Sequence, residues 1–600
     1  MVSSSRRTVR IKPQRSSPIQ SLEAPVVAGV LLFILGGSWD VAWHVEIGRD
    51  TFWSPPHLLL YAGILTILSA CAFAFVRAWR VGRAVPGPGP FISALGAGLA
   101  LASAPIDDLW HRLYGLDVTI LSPPHVMLIG GMAVAAFGAL TGFAVRANRA
   151  DPARLETLWR STAAPWRRHA GEAGIYLAGG TLTAIALAVT GEYAFDISRY
   201  PVEWHPVMLS GLAALTFAAT TRAGGRIGGA TLTAAAYTLV LALAHLELAL
   251  LGAVRPQLPL ILLAAPAMDL VLWRLARRGR WVPPPGPAAG QGLWAAALAG
   301  VAFTAVLLLV QWPYTTAMNA VVWRPDVLGR AALPAMLAGA AGAALGWLIG
   351  ASLRPVALAA TAARPGAARR APPVAPRWNG WTAWPGLTVG AALLAVLLLA
   401  IIPAALRAGA PPDLRSARSP ASSQSVGTLE LSPAVPVAGQ ALTARLTLTD
   451  PALITDVPAL PFESPRAGDV VRGVMRATGS AGTYEVTFTP REPGRRWLSV
   501  FVETAEGRQA ASALFVVYQA DQAAGAAPIS PRAVVLRPEP GPQVGLPVWL
   551  EPATYTLVVL LLVSECAAIV WALRRAARVA GATGVVGAIP RRAAARAAVA

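Results

Sequence analysis

Asp40-Val-Ala-Trp43-His44-Val-Glu-Ile-Gly48-Arg49-Asp50-Thr51-Phe-Trp-Ser54-Pro55-Pro56-His57 sits between two apolar runs, near 25–43 and 57–76. Runs of about 20 apolar residues are long enough to cross the hydrocarbon core of a bilayer as helices, so this segment joins two membrane spans into a hairpin. It recurs. Asp107-Asp-Leu-Trp110-His111-Arg-Leu-Tyr-Gly115-Leu-Asp117-Val-Thr-Ile-Leu-Ser122-Pro123-Pro124-His125 joins the third and fourth runs, with Asp, Trp, His, Gly, Asp, Ser, Pro, Pro and His in the same order and one residue inserted. A weaker third copy runs from Glu192 to Trp204-His205, where Glu192 takes the place of the first His. All three continue as His, five residues, Gly, at Gly63, Gly131 and Gly211. Self-similarity of this kind marks a duplicated structural unit. The expected fold is therefore an all-α bundle of repeated transmembrane hairpins.

The rest of the chain agrees. It is 55% apolar and 13% charged, with a mean hydropathy of +0.54, which excludes a soluble globular protein. Further runs lie near 91–106, 125–145, 172–191, 205–221, 228–251, 258–273, 291–311, 331–352, 386–406 and 553–573, about twelve spans in all. Every second connection is arginine-rich, as at Arg77, Arg80 and Arg83, at Arg222 and Arg226, or at Arg274, Arg277 and Arg278. Positive loops stay inside, so a multi-pass protein of the cell (inner) membrane with both termini cytoplasmic is expected. No cleaved signal peptide is read in the basic tail 1–24. The net charge of +20 is spread over these short clusters, and orientation in the bilayer accounts for it without nucleic acid. Cys71 and Cys566 each lie in an apolar run, leaving no disulfide framework and no multi-cysteine metal site.

The domain reading is a basic tail (1–24), a membrane domain (25–406), a linker (407–425), a β domain (426–519), a second linker (520–550), a last span (551–575) and a basic tail (576–600). Within 426–519 the pattern changes to short alternating segments such as Thr483–Thr489 and Arg496–Val502, parted by Pro490-Arg-Glu-Pro-Gly494. Alternation between turn signals indicates strands, here an immunoglobulin-like β-sandwich outside the membrane. In layout it loosely resembles the small periplasmic sandwich domains that accompany copper-handling membrane proteins. It holds no His and no Cys, and Met475 is its one sulfur, so copper is not expected to bind there.

The hairpin motif carries the chemistry. Asp40 and His44 are four apart, which places them on one helix face with β-carbons about 5–6 Å apart; a Ser-Pro-Pro turn then brings His57 back toward them. Asp107, His111 and His125 repeat the arrangement. Two imidazoles and a carboxylate suit copper, zinc or non-haem iron(II). Five of the seven histidines fall in the three hairpins, a concentration that scattered structural roles do not require. The plainer alternative is a set of polar caps repeated with the hairpins. Glu192 and His205 retain a single imidazole and are candidates for a further or supporting position.

The segment Asp40-x-x-Trp43-His44, Arg49-Asp50-Thr51 and Ser54-Pro55-Pro56-His57 is similar to the metal-site segment of the C subunit of particulate methane and ammonia monooxygenases. That family shows Asp, three residues, His, twelve residues and a second His. The resemblance covers some twenty to thirty residues. It implies that Asp40, His44 and His57 hold copper in a membrane-embedded, copper-dependent monooxygenase component that works with further oxygenase subunits. The duplicated motif, the extra residue in its second copy and the fused β domain depart from the family. They leave room for a metal handling, delivery or assembly factor that docks a periplasmic metal or electron-donor protein. A transporter is the third reading, with His245, Glu247 and Asp269 as ionisable groups at membrane depth. His169 is read as a solvated loop residue.

Overall fold

The computed structural model describes residues 22–46, 52–82, 86–114, 120–150, 170–198, 200–278, 292–318, 323–362, 425–451, 457–464, 469–504, 507–538 and 548–584. Ser54 and Ser122 each start a helix in the same way: their carbonyls accept from Leu58 N at 3.0 Å and Val126 N at 2.8 Å. The prolines that follow have no N–H to lose in a first turn and a preset φ. These turns open α2 (Pro55–Arg80) and α4 (Pro123–Ala150), which return alongside α1 (Glu23–Glu46) and α3 (Pro88–Tyr114). The repeated glycines set the spacing within each hairpin. A Cβ on Gly29 would lie 2.7 Å from Gly63 O, and one on Gly63 would lie 2.6 Å from Gly29 O. Gly96 and Gly131 make the same reciprocal contact between α3 and α4. Small residues let membrane helices approach closely where no hydrophobic drive between them exists.

The bundle continues through α5 (Ala170–Leu187), α6 (Trp204–Gly224), α7 (Gly229–Leu250), α8 (Ile261–Arg277), α9 (Leu293–Met318) and α10 (Pro325–Ala362), and α11 (Leu550–Gly584) follows the β domain. Among the described residues nine helices are long and apolar enough to cross a membrane, which makes this a multi-pass membrane protein. α6 and α8 are not among the nine. α6 is enclosed by protein along most of its length and so carries Ser210, Thr216, Thr220 and Thr221 that a lipid-facing helix would avoid. Its Gly211 meets Gly342 of α10. Arg222, read as a loop charge from the sequence, lies fully buried in its last turn with the guanidinium 4.8 Å from the Trp347 ring centre. The expected span at 386–406, His169 and the first linker lie outside the described residues.

Asp269 of α8 caps α7 from a neighbouring helix. Its carboxylate accepts from Gly228 N (3.0 Å), Ala230 N (3.3 Å), Thr231 N (2.9 Å) and Thr231 Oγ1 (2.7 Å). These are N–H groups that a helix start leaves unsatisfied. Asp269→Ala is expected to cost about 1–3 kcal/mol, and Asp269→Asn to recover part of it; thermal unfolding in detergent measures both.

The β domain is an antiparallel array of nine strands: β1 (Gly427–Ser432), β2 (Leu442–Leu448), β3 (Ala459–Ser464), β4 (Val471–Ala477), β5 (Thr483–Phe488), β6 (Gly494–Thr504), β7 (Gly507–Val517), β8 (Arg532–Val534) and β9 (Leu536–Pro538). They pair in the order β8-β1-β2-β5-β4-β3-β6-β7-β9. Alternate residues such as Leu442, Ala444, Leu446 and Leu448 point into one core with Phe462, Leu498 and Val500. The domain therefore runs past residue 519. β8 and β9 lie within the stretch expected to be linker, because short strands between Pro528, Pro531 and Pro538 show little alternation.

This domain docks on the hairpin end of the bundle. Asp196, held at a left-handed φ of 61° that Asp tolerates, accepts from Arg495 N at 2.7 Å. Arg324 donates twice to Glu492, at 2.7 and 3.1 Å. Burial opposes the Arg324 charge, but hydrogen bonds to Asp326 and Glu492 outweigh it and hold the guanidinium pKa above the usual arginine value. Leu514 packs with Ala42, Val45, Phe195 and Leu248. Ala42 and Val45 flank His44, so the β domain and the first copy of the motif share one face of the protein.

Candidate metal centre

The last turns of α1 carry Asp40 and His44, and the first turn of α2 carries His57. His57 Nε2 lies 3.3 Å from Asp40 Oδ1, and His44 Nε2 lies 3.8 Å from Asp40 Oδ2. In the second copy His111 Nε2 lies 3.4 Å from Asp107 Oδ2, and His125 Nε2 lies 3.7 Å from Asp107 Oδ1. In each copy the carboxylate stands between two imidazoles, one from its own helix and one from the returning helix. The side chains are mostly sheltered, the carboxylates being 16% and 21% exposed.

One atom is distinctive. Asp40 Oδ1 and Asp107 Oδ1, the oxygens that face the second histidine of each copy, are both buried without a well-formed hydrogen bond. A buried polar atom left in that state is costly and calls for an account. It recurs at equivalent positions of the duplicated hairpin, each time on the oxygen nearer the second histidine. Among the described residues no group of three or more His, Cys, Asp or Glu stands close enough together to hold a metal ion. The donor pairs are nevertheless near the required spacing, since atoms about 2.1 Å from a tetrahedral ion lie about 3.4 Å apart. The two copies lie close enough for charge on one to reach the other, His125 to Asp40 and His57 to Asp107. They form neighbouring halves of one polar region.

The surroundings differ between copies. Beside the first, the His57 and Tyr61 rings are 6.1 Å apart, Tyr61 OH donates to Phe52 O at 3.2 Å, and Trp53 stacks edgewise on Phe52 at 4.8 Å. The equivalent positions of the second copy are Ile120, Leu121 and Ile129. Trp43 packs edgewise on Trp39, whereas Trp110 is buried against Tyr555 of α11. Aligning the two copies position by position gives this aromatic-to-aliphatic difference directly, a signal that the shared residues alone conceal.

The third copy is built differently. Glu192 is buried and accepts from Ile120 N at 2.7 Å, so it holds the loop between His111 and His125. His205 is buried, stacks on Tyr193 with ring centres 4.8 Å apart, and accepts at Nδ1 from Trp323 Nε1 at 3.2 Å. Neither joins the two carboxylate–imidazole groups. Glu192→Ala is expected to weaken metal binding by the second copy about 10–100-fold, the usual effect of removing a group that orients ligands, and to spare the first; titration of each copy with the other disabled checks this.

Two of the three ionisable groups at membrane depth are engaged by backbone: Asp269 as described, and His245 with Leu241 O at 2.9 Å and Pro256 O at 2.7 Å. Glu565 of α11 was not singled out from the sequence. It is buried, with Oε2 lacking a hydrogen-bond partner among the described residues, and its visible signal is a lone acid within an apolar run.

No family model, no curated protein and no solved structure matches this chain.

Proposed function

We propose that this protein binds copper through two neighbouring sites, Asp40 with His44 and His57, and Asp107 with His111 and His125, and serves as a membrane component of a copper-dependent oxygenase resembling the C subunit of methane and ammonia monooxygenases. The observation that carries the reading is the recurrence of one arrangement in both hairpins, a carboxylate standing between two imidazoles from adjoining helices. Two imidazoles and a carboxylate fit copper, with zinc and non-haem iron as the alternatives for the same donors. Copper bound there supplies one-electron redox chemistry. The carboxylates orient the imidazoles, the glycine contacts hold α1 against α2 and α3 against α4 at the spacing the ligands need, and the apolar walls limit water.

The topology proposed is that of the sequence: both termini cytoplasmic, the sites and the immunoglobulin-like domain outside the inner membrane, and twelve spans. The apolar run at 386–406 is read as one of the twelve spans. A second reading, copper delivery to or from a periplasmic partner, is favoured by the β domain docked beside His44 through Leu514 and Glu492. The two separate in one assay. Copper-loaded protein with its natural neighbouring subunits and a reductant is expected to oxidise a small hydrocarbon or ammonia. Absence of turnover together with copper transfer to an apo acceptor would replace the oxygenase reading with delivery.

A further inference from the structure

At the opposite end of the four helices that carry the copper ligands is a cavity of about 310 Å³, bounded by the starts of α1 and α3 and the ends of α2 and α4. Glu23, Arg77 and Arg146 line it, with Ala74, Gly87 and Gly142 leaving room. A Cβ added at Gly87 would meet nothing within 4 Å. Arg146 is hydrogen-bonded through Nη2 to Glu23, yet its Nε is buried without a partner among the described residues. Arg77 forms no ion pair with a described acid. One guanidinium charge at the cavity is therefore uncompensated. The positive end of the α3 dipole points the same way.

We propose that this cavity binds the phosphate of a net-anionic phospholipid. Depth favours a lipid. The cavity lies where four spans end, and Trp79, 78% exposed beside Arg80, marks the level of the headgroups. Basic pockets between transmembrane helices at the cytoplasmic face attract such headgroups. Phe73 and Val76, on the turn of α2 just before Arg77, are exposed apolar side chains, a surface along which acyl chains can lie and for which a free phosphate has no use. The preceding segment of the chain is a poor alternative occupant. Residues 1–21 contain Arg6, Arg7, Arg10, Lys12 and Arg15 and no acid, so they repel the cavity and add to its pull on an anion. A lipid seated there would touch α1, α2, α3 and α4 at once and clamp the two hairpins at the end remote from their ligands.

The test uses full-length protein, delipidated in a neutral detergent and examined by native mass spectrometry with phosphatidylglycerol or phosphatidylcholine added. Phosphatidylglycerol is expected to be retained about five-fold more than phosphatidylcholine, the value of roughly one basic residue at an anionic surface. Arg77→Gln should lose that preference and Arg77→Lys should keep it. Unchanged thermal unfolding of Arg77→Gln in detergent establishes that the variant is folded. Equal retention of both lipids by the unaltered protein, or an undiminished preference in Arg77→Gln, overturns the proposal. Displacement of the lipid by millimolar inorganic phosphate overturns the lipid as the source of the phosphate. None of these readouts depends on copper.

Discussion

Asp40→Ala is expected to empty the first site, lowering its metal affinity by more than about 100-fold, beyond the usual cost of losing a group that merely orients a ligand. Asp40 is the residue both imidazoles share, with His57 at 3.3 Å and His44 at 3.8 Å. Without it the two histidines are left to bind alone. The substitution also removes the carboxylate's pairing with both imidazoles, whose attraction outweighs the cost of burying it, so the metal-free protein should lose some stability as well. The two effects differ in size: affinity collapses while metal-free stability falls modestly. A carboxylate that served only to cap or pair would lose stability on removal with copper binding unchanged. Copper titration and thermal unfolding of the metal-free forms distinguish these outcomes, and Asp107→Ala should behave in the same way at the second site.

Gly63→Leu carries the second large effect. A Cβ there would stand 2.6 Å from Gly29 O and 2.8 Å from Phe33 N, both backbone atoms that cannot turn aside. Overpacking costs about 1–3 kcal/mol even where side chains can yield, so a backbone clash should sit at or above the upper end. The helices part where they should touch, and His57, one and a half turns along α2, moves away from Asp40. Loss of the first site together with lowered stability is expected, with the second site less affected. Gly98→Leu is the control, since a Cβ at Gly98 meets nothing within 4 Å. If Gly63→Leu bound copper as tightly as the unaltered protein, the glycine contact would not be what positions the ligands.

The hairpins were legible because their signals are local. Asp40 and His44 share a helix face by spacing alone, Ser-Pro-Pro starts the return helix, and a second copy of both shows the pattern is not accidental. The approach of His57 to Asp40 followed from the turn and the repeat. What escaped the sequence depends on partners distant along the chain. Asp269 looked like a charge at membrane depth and is a cap for α7, 38 residues before it at Thr231. Arg222 looked like a loop charge and is buried against Trp347. Glu192 was a candidate for a further or supporting position, and the group it supports, Ile120 N of the neighbouring hairpin, is not visible from spacing. β8 and β9 were hidden by prolines at the edge of the array. Gly29 and Gly96, each eleven residues before its Asp, were concealed among the 55 glycines of the chain, although the second copy marks them once the two hairpins are aligned.

The two like Asp/His/His sets sit in unlike surroundings. Phe52, Trp53 and Tyr61 wall the first, and aliphatic residues wall the second. The β domain rests beside the first through Leu514, while α11 covers the second through Tyr555.

The most direct measurement is copper stoichiometry of the purified full-length protein, combined with X-ray absorption, for the unaltered chain beside His44→Ala and His111→Ala. Two copper ions per chain, falling to one in each variant and to none in the double variant, with nitrogen and oxygen neighbours only, is the result expected of twin Asp/His/His sites. Copper content unchanged by either substitution, or a sulfur neighbour in the spectrum, would contradict them.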